Sequence, residues 1–187
     1  MKFIPQMEPW IGREEEREVL KVLRSGWITE AAETRLLEQK IADFLGVPYV
    51  SVVTNGTVSL TIALLAIGIG REDEVIVPDF TMVATPNAVI LAGARPLLVD
   101  IERENLCMDL SAVKRAITKK TKAIIPVALN GRAPDMDKLL GLAKEHNLLV
   151  LEDAAQAFGS KWRGKLLGTF GDIGNFSFST PKIITTG

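Results

Sequence analysis

A lysine near the end of the chain and a carboxylate upstream of it are the two residues that point most directly to chemistry. Lys182 ends the run NFSFSTPK (175–182), and Asp153 follows LLVLE (148–152), an apolar run that predicts a buried strand. A pyridoxal 5'-phosphate (PLP) enzyme needs such a pair, because the lysine carries the cofactor as a Schiff base and the carboxylate keeps the pyridine nitrogen protonated. Gln156 is placed to reach either the phenolic oxygen of the ring or the face of the coenzyme. The alternative for Asp153 is a helix N-cap.

Three further residues are candidates for holding the phosphate of that cofactor. Gly56 and Thr57 follow a predicted strand and open a predicted helix, where free backbone N–H groups and a hydroxyl suit a phosphate. Ser177 alternates with Phe176 and Phe178, so it should face away from two buried aromatic rings. The alternatives are an ordinary helix start for Thr57 and a solvated surface for Ser177.

The surroundings of Lys182 predict a sheltered amine. Pro181 precedes the lysine, and Ile183 and Ile184 follow it. A solvated surface position is the usual alternative for any single lysine. Burial among these apolar neighbours would instead favour the neutral amine that Schiff-base formation requires.

Short apolar runs that alternate with helical periodicity predict an α/β fold with a mainly parallel sheet and helices on both faces. The predicted strands are 49–53, 74–77, 96–99, 123–127, 148–152 and 175–178. The predicted helices are 14–23, 34–45, 57–67, 85–92, 111–117 and 135–146. We expect residues 1–48 to form an N-terminal helical segment that packs on a large PLP-binding domain, residues 49–187. Ligands of such sheets bind beyond the carboxyl ends of the strands, where the candidate residues lie.

Composition excludes several classes of protein. The 187 residues are 47% hydrophobic and 24% charged, as in soluble globular domains, and 22 basic residues nearly balance 23 acidic ones. No basic run predicts a nucleic-acid surface, no apolar run is long enough to span a membrane, and no metal-ligand cluster occurs. The single cysteine, Cys107, has no nearby histidine and is expected to be a packing residue in a cytoplasmic protein.

Eight stretches along the whole chain resemble the DegT/DnrJ/EryC1/StrS family of PLP-dependent sugar aminotransferases, and within it the perosamine-synthetase-like enzymes. The stretches are SGWIT (25–29), NGT (55–57), DEVIVP (73–78), TKAIIP (121–126), DMD (135–137), EDAAQ (152–156), FSF (176–178) and KIITTG (182–187). The resemblance implies the large domain of a fold-type I PLP-dependent transferase. Family members continue with a glycine-rich loop and a small C-terminal domain, so we expect this chain to be the N-terminal part of a longer protein.

Carried over by position, the resemblance gives catalytic roles to Lys182 and Asp153. At Met82 the family usually has an aromatic residue that stacks on the cofactor ring. A methionine sulfur can also lie on an aromatic face, and Phe80, two residues earlier, is the alternative. The residues expected to contact the cofactor are Gly56, Thr57, Met82, Asp153, Gln156, Ser177 and Lys182.

The activity implied by the resemblance is transfer of an amino group from glutamate or glutamine to the keto group of a nucleotide-linked 4-keto-6-deoxy sugar, in a homodimer. A PLP-dependent sugar dehydratase is one alternative, but those relatives have a histidine in place of the lysine, so Lys182 argues against it. A non-catalytic regulatory or interaction fragment of the same fold is the other. The sequence does not choose the sugar, the nucleotide or the amino donor.

Overall fold

The computed structural model describes residue 4 and residues 8–186 of the chain. The chain divides into two compact units, Met1–Val52 and Val53–Gly187. Within the described residues no helix is both long and apolar enough to cross a membrane.

The first unit contains the two predicted helices, α1 (Arg13–Ser25) and α2 (Ala32–Leu45). Each helix ends at a glycine, Gly26 and Gly46, with φ of 73° and 68°. Glycine adopts this left-handed conformation without the steric cost that a Cβ imposes, so these residues fix where the helices stop.

The strand predicted at 49–53 does not form, so this prediction was wrong. A strand needs a neighbour for its backbone groups, and none pairs with this segment in the described part of the chain. The N–H of Val52 instead donates to Glu38 Oε1 at 2.8 Å. The apolar pattern there does not correspond to a sheet strand.

The second unit is built on a five-stranded parallel sheet with the order β2-β1-β3-β4-β7. Four helices lie between its strands or before them, and a two-stranded antiparallel hairpin precedes β7. The strands are β1 (Glu74–Pro78), β2 (Arg95–Val99), β3 (Thr121–Ile124), β4 (Leu149–Asp153), β5 (Lys161–Trp162), β6 (Lys165–Leu166) and β7 (Ile173–Asn175). The helices are α3 (Gly56–Ala66), α4 (Ala84–Leu91), α5 (Leu110–Ala116) and α6 (Met136–Glu145).

Helices cover both faces of this sheet, which confirms the predicted fold class. Alternate residues of a strand point to opposite faces, so each strand contributes to two separate cores. One core packs α3 and α4 on the sheet, and the other packs α5 and α6 on its opposite face. Sheet residues of the first core include Val75, Val77, Ile125 and Leu151; those of the second include Ile76, Ile124 and Val150.

The last strand lies earlier than predicted, at Ile173–Asn175 instead of 175–178. Its glycines hid it from a search for apolar runs, yet close packing requires them. A Cβ on Gly171 would lie 2.4 Å from the carbonyl oxygen of Val150, and a Cβ on Gly174 would lie 2.0 Å from that of Gly168. Here backbone packs on backbone, which only glycine allows.

The buried Glu152 carboxylate fixes the loop that leads into this strand. It accepts hydrogen bonds from the N–H groups of Gly168, Phe170 and Gly171. The next residue along β4, Asp153, then pairs in register with Asn175 of β7. The two carboxylates that end β4 therefore have different tasks, because Glu152 binds the N–H groups of the loop and Asp153 does not.

Candidate active site

The Asp153 side chain is held at the carboxyl end of β4 by three donors. Its Oδ2 accepts from the Thr85 hydroxyl at 2.7 Å, and its Oδ1 accepts from Asn175 Nδ2 at 3.1 Å and from the N–H of Ala155 at 3.2 Å. The aspartate is 5% exposed. No α-helix starts after β4, since residues 154–160 form turns. The helix N-cap alternative is therefore wrong, although the Ala155 contact is a turn-capping one.

None of these three donors carries a charge, and Asp153 forms no ion pair among the residues that the structure describes. A carboxylate removed from water is costly unless a positive group compensates it. Neutral donors stabilise the negative charge without cancelling it. This arrangement therefore suits a cationic ligand atom, such as a protonated ring nitrogen. The described residues contain no cluster of three or more His, Cys, Asp or Glu side chains that could hold a metal ion.

A second group of candidates meets where α3 begins. The Asn55 side chain caps the helix by accepting from the N–H of Val58 at 2.9 Å. This leaves the N–H groups of Gly56 and Thr57, and the Thr57 hydroxyl, free within the described chain to bind an anion. Ser177 lies directly opposite, because a Cβ on Gly56 would be 3.1 Å from the Ser177 Cβ.

The aromatic residues beside Ser177 confirm its predicted direction. Phe176 and Phe178 both pack edge-on against Phe158, with ring centroids 5.5 and 5.3 Å away. Ser177 therefore faces the other side, where its hydroxyl is 3.4 Å from that of Ser179. This places two hydroxyl groups close to the start of α3.

The Gln156 side chain is oriented by the loop after β3. Its Oε1 accepts from the N–H of Asn130 at 3.1 Å. Asn130 has a φ of 50°, a left-handed conformation, in the short 3-10 turn Leu129–Gly131. Because the amide oxygen is occupied, Gln156 offers its Nε2 hydrogens to a ligand. A donor is what a phenolic oxygen with negative charge requires.

Lys182 is less sheltered than the sequence indicated. It is partly buried, while Ile183 and Ile184 are 61% and 45% exposed. The expectation that these isoleucines enclose the amine is wrong, because the residues form a bend in which their side chains turn outward. The backbone is fixed by a bond from the N–H of Lys182 to the carbonyl of Ser179, and the amine makes no hydrogen bond among the described residues.

Met82 and Phe80 are both open to solvent after β1. They are 62% and 53% exposed, in the segment between β1 and α4 that also carries Thr81. Their exposure leaves either side chain available to cover a flat ligand. The geometry does not choose between them.

The segment 175–177 joins the two groups of candidates. Asn175 contacts Asp153, and two residues later Ser177 contacts Gly56. One short piece of backbone therefore connects the candidate cation site to the candidate anion site. Thr85 and Asn175 were not among the predicted site residues. The only sequence signal for them was their position, since one begins a helix after a strand and the other lies beside the aromatic run.

The sequence of the chain matches one family of proteins along nearly its whole length. A model of the DegT/DnrJ/EryC1/StrS aminotransferase family matches residues 9–187. The chain is 47% identical to GDP-perosamine synthase of Escherichia coli O157:H7, over 100% of this chain and 52% of that protein. It is 42% identical to GDP-perosamine synthase of Vibrio cholerae, over 99% and 51% of the two chains.

Solved structures agree with this assignment. An aminotransferase from Psychrobacter cryohalolentis superposes with a TM-score of 0.93 at 37% identity, over 97% of this chain and 47% of that one. A Streptococcus pneumoniae protein solved in its PLP form superposes with a TM-score of 0.92 at 34% identity, over 97% and 50%. The chain thus spans about half the length of the relatives it matches. From its sequence and its fold, the chain belongs to the DegT/DnrJ/EryC1/StrS aminotransferase family.

Proposed function

We propose that this chain carries the cofactor site of a PLP-dependent aminotransferase that acts on a nucleotide-linked 4-keto-6-deoxy sugar, with glutamate or glutamine as amino donor. The observation that carries the proposal is Asp153, a buried carboxylate held only by neutral donors. An anion site lies two residues further along the segment that holds it. PLP has a cationic ring nitrogen and a phosphate, so the residues present fit both of its charged ends.

Each candidate residue has a distinct task in this proposal. Asp153 would hold the proton on the ring nitrogen, and Gln156 would donate to the ring oxygen. The N–H groups of Gly56 and Thr57, with the hydroxyls of Thr57 and Ser177, would bind the phosphate. Met82 or Phe80 would cover the ring.

Lys182 would take part in covalent attachment of the cofactor and in proton transfer. Its amine would attach the cofactor and, once released by the amino donor, would move the proton that leaves one carbon and joins another. PLP, when bound, supplies the electron sink that makes such a proton removable. The amine has no hydrogen bond among the described residues, so no contact within them has to break before it takes up these roles.

The names of the relatives support the proposed substrate class. Two of them are named GDP-perosamine synthase, and they match this chain at 47% and 42% identity. Perosamine is an amino sugar, and the prefix names a nucleotide-linked form. A homodimer, with each site completed by the partner, is part of the same proposal.

Trapping of the cofactor tests the role of Lys182. The full-length protein is loaded with PLP, reduced with borohydride, digested and analysed by mass spectrometry. We expect the phosphopyridoxyl label on the peptide that contains Lys182, and no label on that position in a Lys182→Arg variant. Labelling of another lysine, such as Lys161 or Lys165, would contradict the assignment.

Product analysis tests the reaction class. The same protein is incubated with a GDP-linked 4-keto-6-deoxy sugar and glutamate or glutamine labelled with 15N on its amino and amide nitrogens. We expect a sugar product that contains the 15N atom. A product that has instead lost a hydroxyl group would identify a dehydratase, and an unchanged sugar would refute the proposed substrate class.

A further inference from the structure

We infer that Thr85 and Asn175 are positioning residues that set the direction and the charge of the Asp153 carboxylate toward the ring nitrogen. This inference rests on the proposed function and deepens it. Both residues donate to the Asp153 side chain. Their task is to act through Asp153.

Thr85 and Asn175 donate hydrogen bonds to different oxygens of the Asp153 carboxylate. Thr85, at the start of α4, donates to Oδ2 at 2.7 Å, and Asn175, at the end of β7, donates to Oδ1 at 3.1 Å. Because both oxygens are engaged from different elements, the carboxylate cannot rotate about its Cβ–Cγ bond without losing a bond. Thr85 is completely buried and Asn175 is 1% exposed, so water cannot replace either donor readily.

The hydroxyl of Thr85 is itself fixed by a neighbour. Thr81 Oγ1 lies 3.2 Å from Thr85 Oγ1, at a distance where either hydroxyl could donate to the other. A carboxylate only accepts, so the single hydroxyl hydrogen of Thr85 must point to Asp153. Thr81 is therefore the donor to Thr85. This chain of hydroxyl groups polarises toward the carboxylate and strengthens its last bond.

The Asn175 side chain is oriented so that its Nδ2 is paired and its Oδ1 is not. Its Nδ2 must face Asp153, because an amide oxygen there would repel the carboxylate. Its Oδ1 is then buried without a hydrogen-bond partner among the described residues. Buried polar atoms are rarely left unpaired, and the exceptions concentrate where function requires an orientation. The unpaired oxygen indicates that this asparagine serves the carboxylate rather than its own packing.

The choice of neutral donors also matters. An arginine or lysine at either position would hold Asp153 more strongly but would compete with the cofactor for its charge. A threonine and an asparagine fix the group and leave its full negative charge for the ring nitrogen.

The test compares two cofactors that differ only at the ring nitrogen. PLP and 1-deaza-PLP, in which that nitrogen is replaced by a C–H, are titrated into the full-length apo protein, and their dissociation constants are measured by fluorescence. Wild type should prefer PLP. In Thr85→Val and in Asn175→Leu we expect this preference to fall roughly tenfold, because a donor to the charged partner is lost while shape is nearly kept.

Two further variants serve as controls. Thr85→Ser keeps the hydroxyl and should restore the preference. Thr121→Val makes the same change at a buried threonine at the opposite, amino-terminal end of the sheet, and should leave the preference unchanged. Thermal unfolding of each apo variant reports its fold.

The outcomes separate the two levels of the hypothesis. If wild type binds both cofactors equally, the role of Asp153 and the proposed function fail. If wild type prefers PLP but Thr85→Val and Asn175→Leu keep that preference, or weaken both cofactors equally, the positioning role is overturned. If neither variant folds without cofactor, the residues serve the fold and the inference is also overturned.

Discussion

Replacement of Asp153 by asparagine should separate the charge of this residue from its place in the structure. The Oδ1 position receives two N–H donors, Asn175 Nδ2 at 3.1 Å and the backbone of Ala155 at 3.2 Å, and the backbone donor cannot reverse. The new amide must therefore keep its oxygen there and place its NH2 group opposite Thr85. The Thr85 hydroxyl can turn to accept this hydrogen and donate to Thr81, 3.2 Å away. Every hydrogen-bonding contact survives the change.

The chemical cost should be much larger than the structural one. A neutral amide cannot hold a proton on the ring nitrogen, and one charge-assisted contact in a site shielded from water is worth on the order of 2–3 kcal/mol. This corresponds to roughly a hundredfold loss of turnover. Since the hydrogen bonds are kept, we expect the melting temperature of the apo protein to change by only about 2–4 °C.

The assay is amino transfer by the full-length, cofactor-loaded Asp153→Asn protein, alongside thermal unfolding of its apo form. Asp153→Ala is the informative comparison, because it leaves the Thr85 and Asn175 donors unpaired and should destabilise the apo protein by about 1–3 kcal/mol. An Asp153→Asn protein with near wild-type turnover would refute the electrostatic role. A large loss of apo stability in the same variant would refute the rearrangement of hydroxyl groups.

Three substitutions and one labelling reaction probe other parts of the molecule. Lys182→Ala should abolish amino transfer in the full-length enzyme, because the segment 176–187 after β7 contains no other lysine. An activity assay checks this. Gly56→Ala brings a methyl group to 3.1 Å from Ser177 Cβ, so we expect roughly tenfold weaker binding of PLP and a smaller effect on phosphate-free pyridoxal, measured by fluorescence titration. Glu152→Gln leaves one acceptor oxygen and sets an NH2 group against a backbone N–H that the carboxylate had accepted, so it should lower the free energy of unfolding by about 2–4 kcal/mol in urea titrations. Burial raises the pKa of the Cys107 thiol to about 11, so its reaction with Ellman's reagent at about pH 8 should be roughly a hundredfold slower in the folded than in the unfolded protein.

Matched controls keep these results interpretable. Gly141→Ala adds the same methyl group where the structure leaves open space, and should not weaken PLP binding. Glu104→Gln changes an exposed glutamate that has no side-chain hydrogen bond to any residue of the described chain, and should not alter unfolding. Fast labelling of Cys107 in the folded protein, or full activity of Lys182→Ala, would contradict the respective prediction. For Gly56→Ala and for Glu152→Gln, an effect equal to that of the matched control would contradict it.

Local patterns were sufficient for most of the fold. The strands β1 and β4 carry continuous apolar runs because both of their faces are buried, and this left a clear signal. Helix ends were predictable to within two or three residues. The predicted strand at 49–53 failed because pairing is a property of two segments, and β7 was displaced because backbone packing at Gly171 and Gly174 removed its apolar pattern.

The site was predictable where a residue type carries chemistry by itself. Asp153 and Gln156 lie at the end of the most apolar strand, so position and residue type agreed. Thr85 and Asn175 could not be found this way, because a threonine and an asparagine have many ordinary uses. Their role depends on a partner that is 68 residues away in the first case and 22 in the second.

The register that sets Asp153 beside Asn175 also has a consequence for how the protein folds. The chain must complete the connection through the hairpin and the loop at 168–171 before β7 can dock on β4, and the start of α3 must already be in place to meet Ser177. Such distant contacts form late, since loop closure has to precede them. Binding of the cofactor during refolding would then report the final docking of β7 on β4. It should lag behind the appearance of the helical signal.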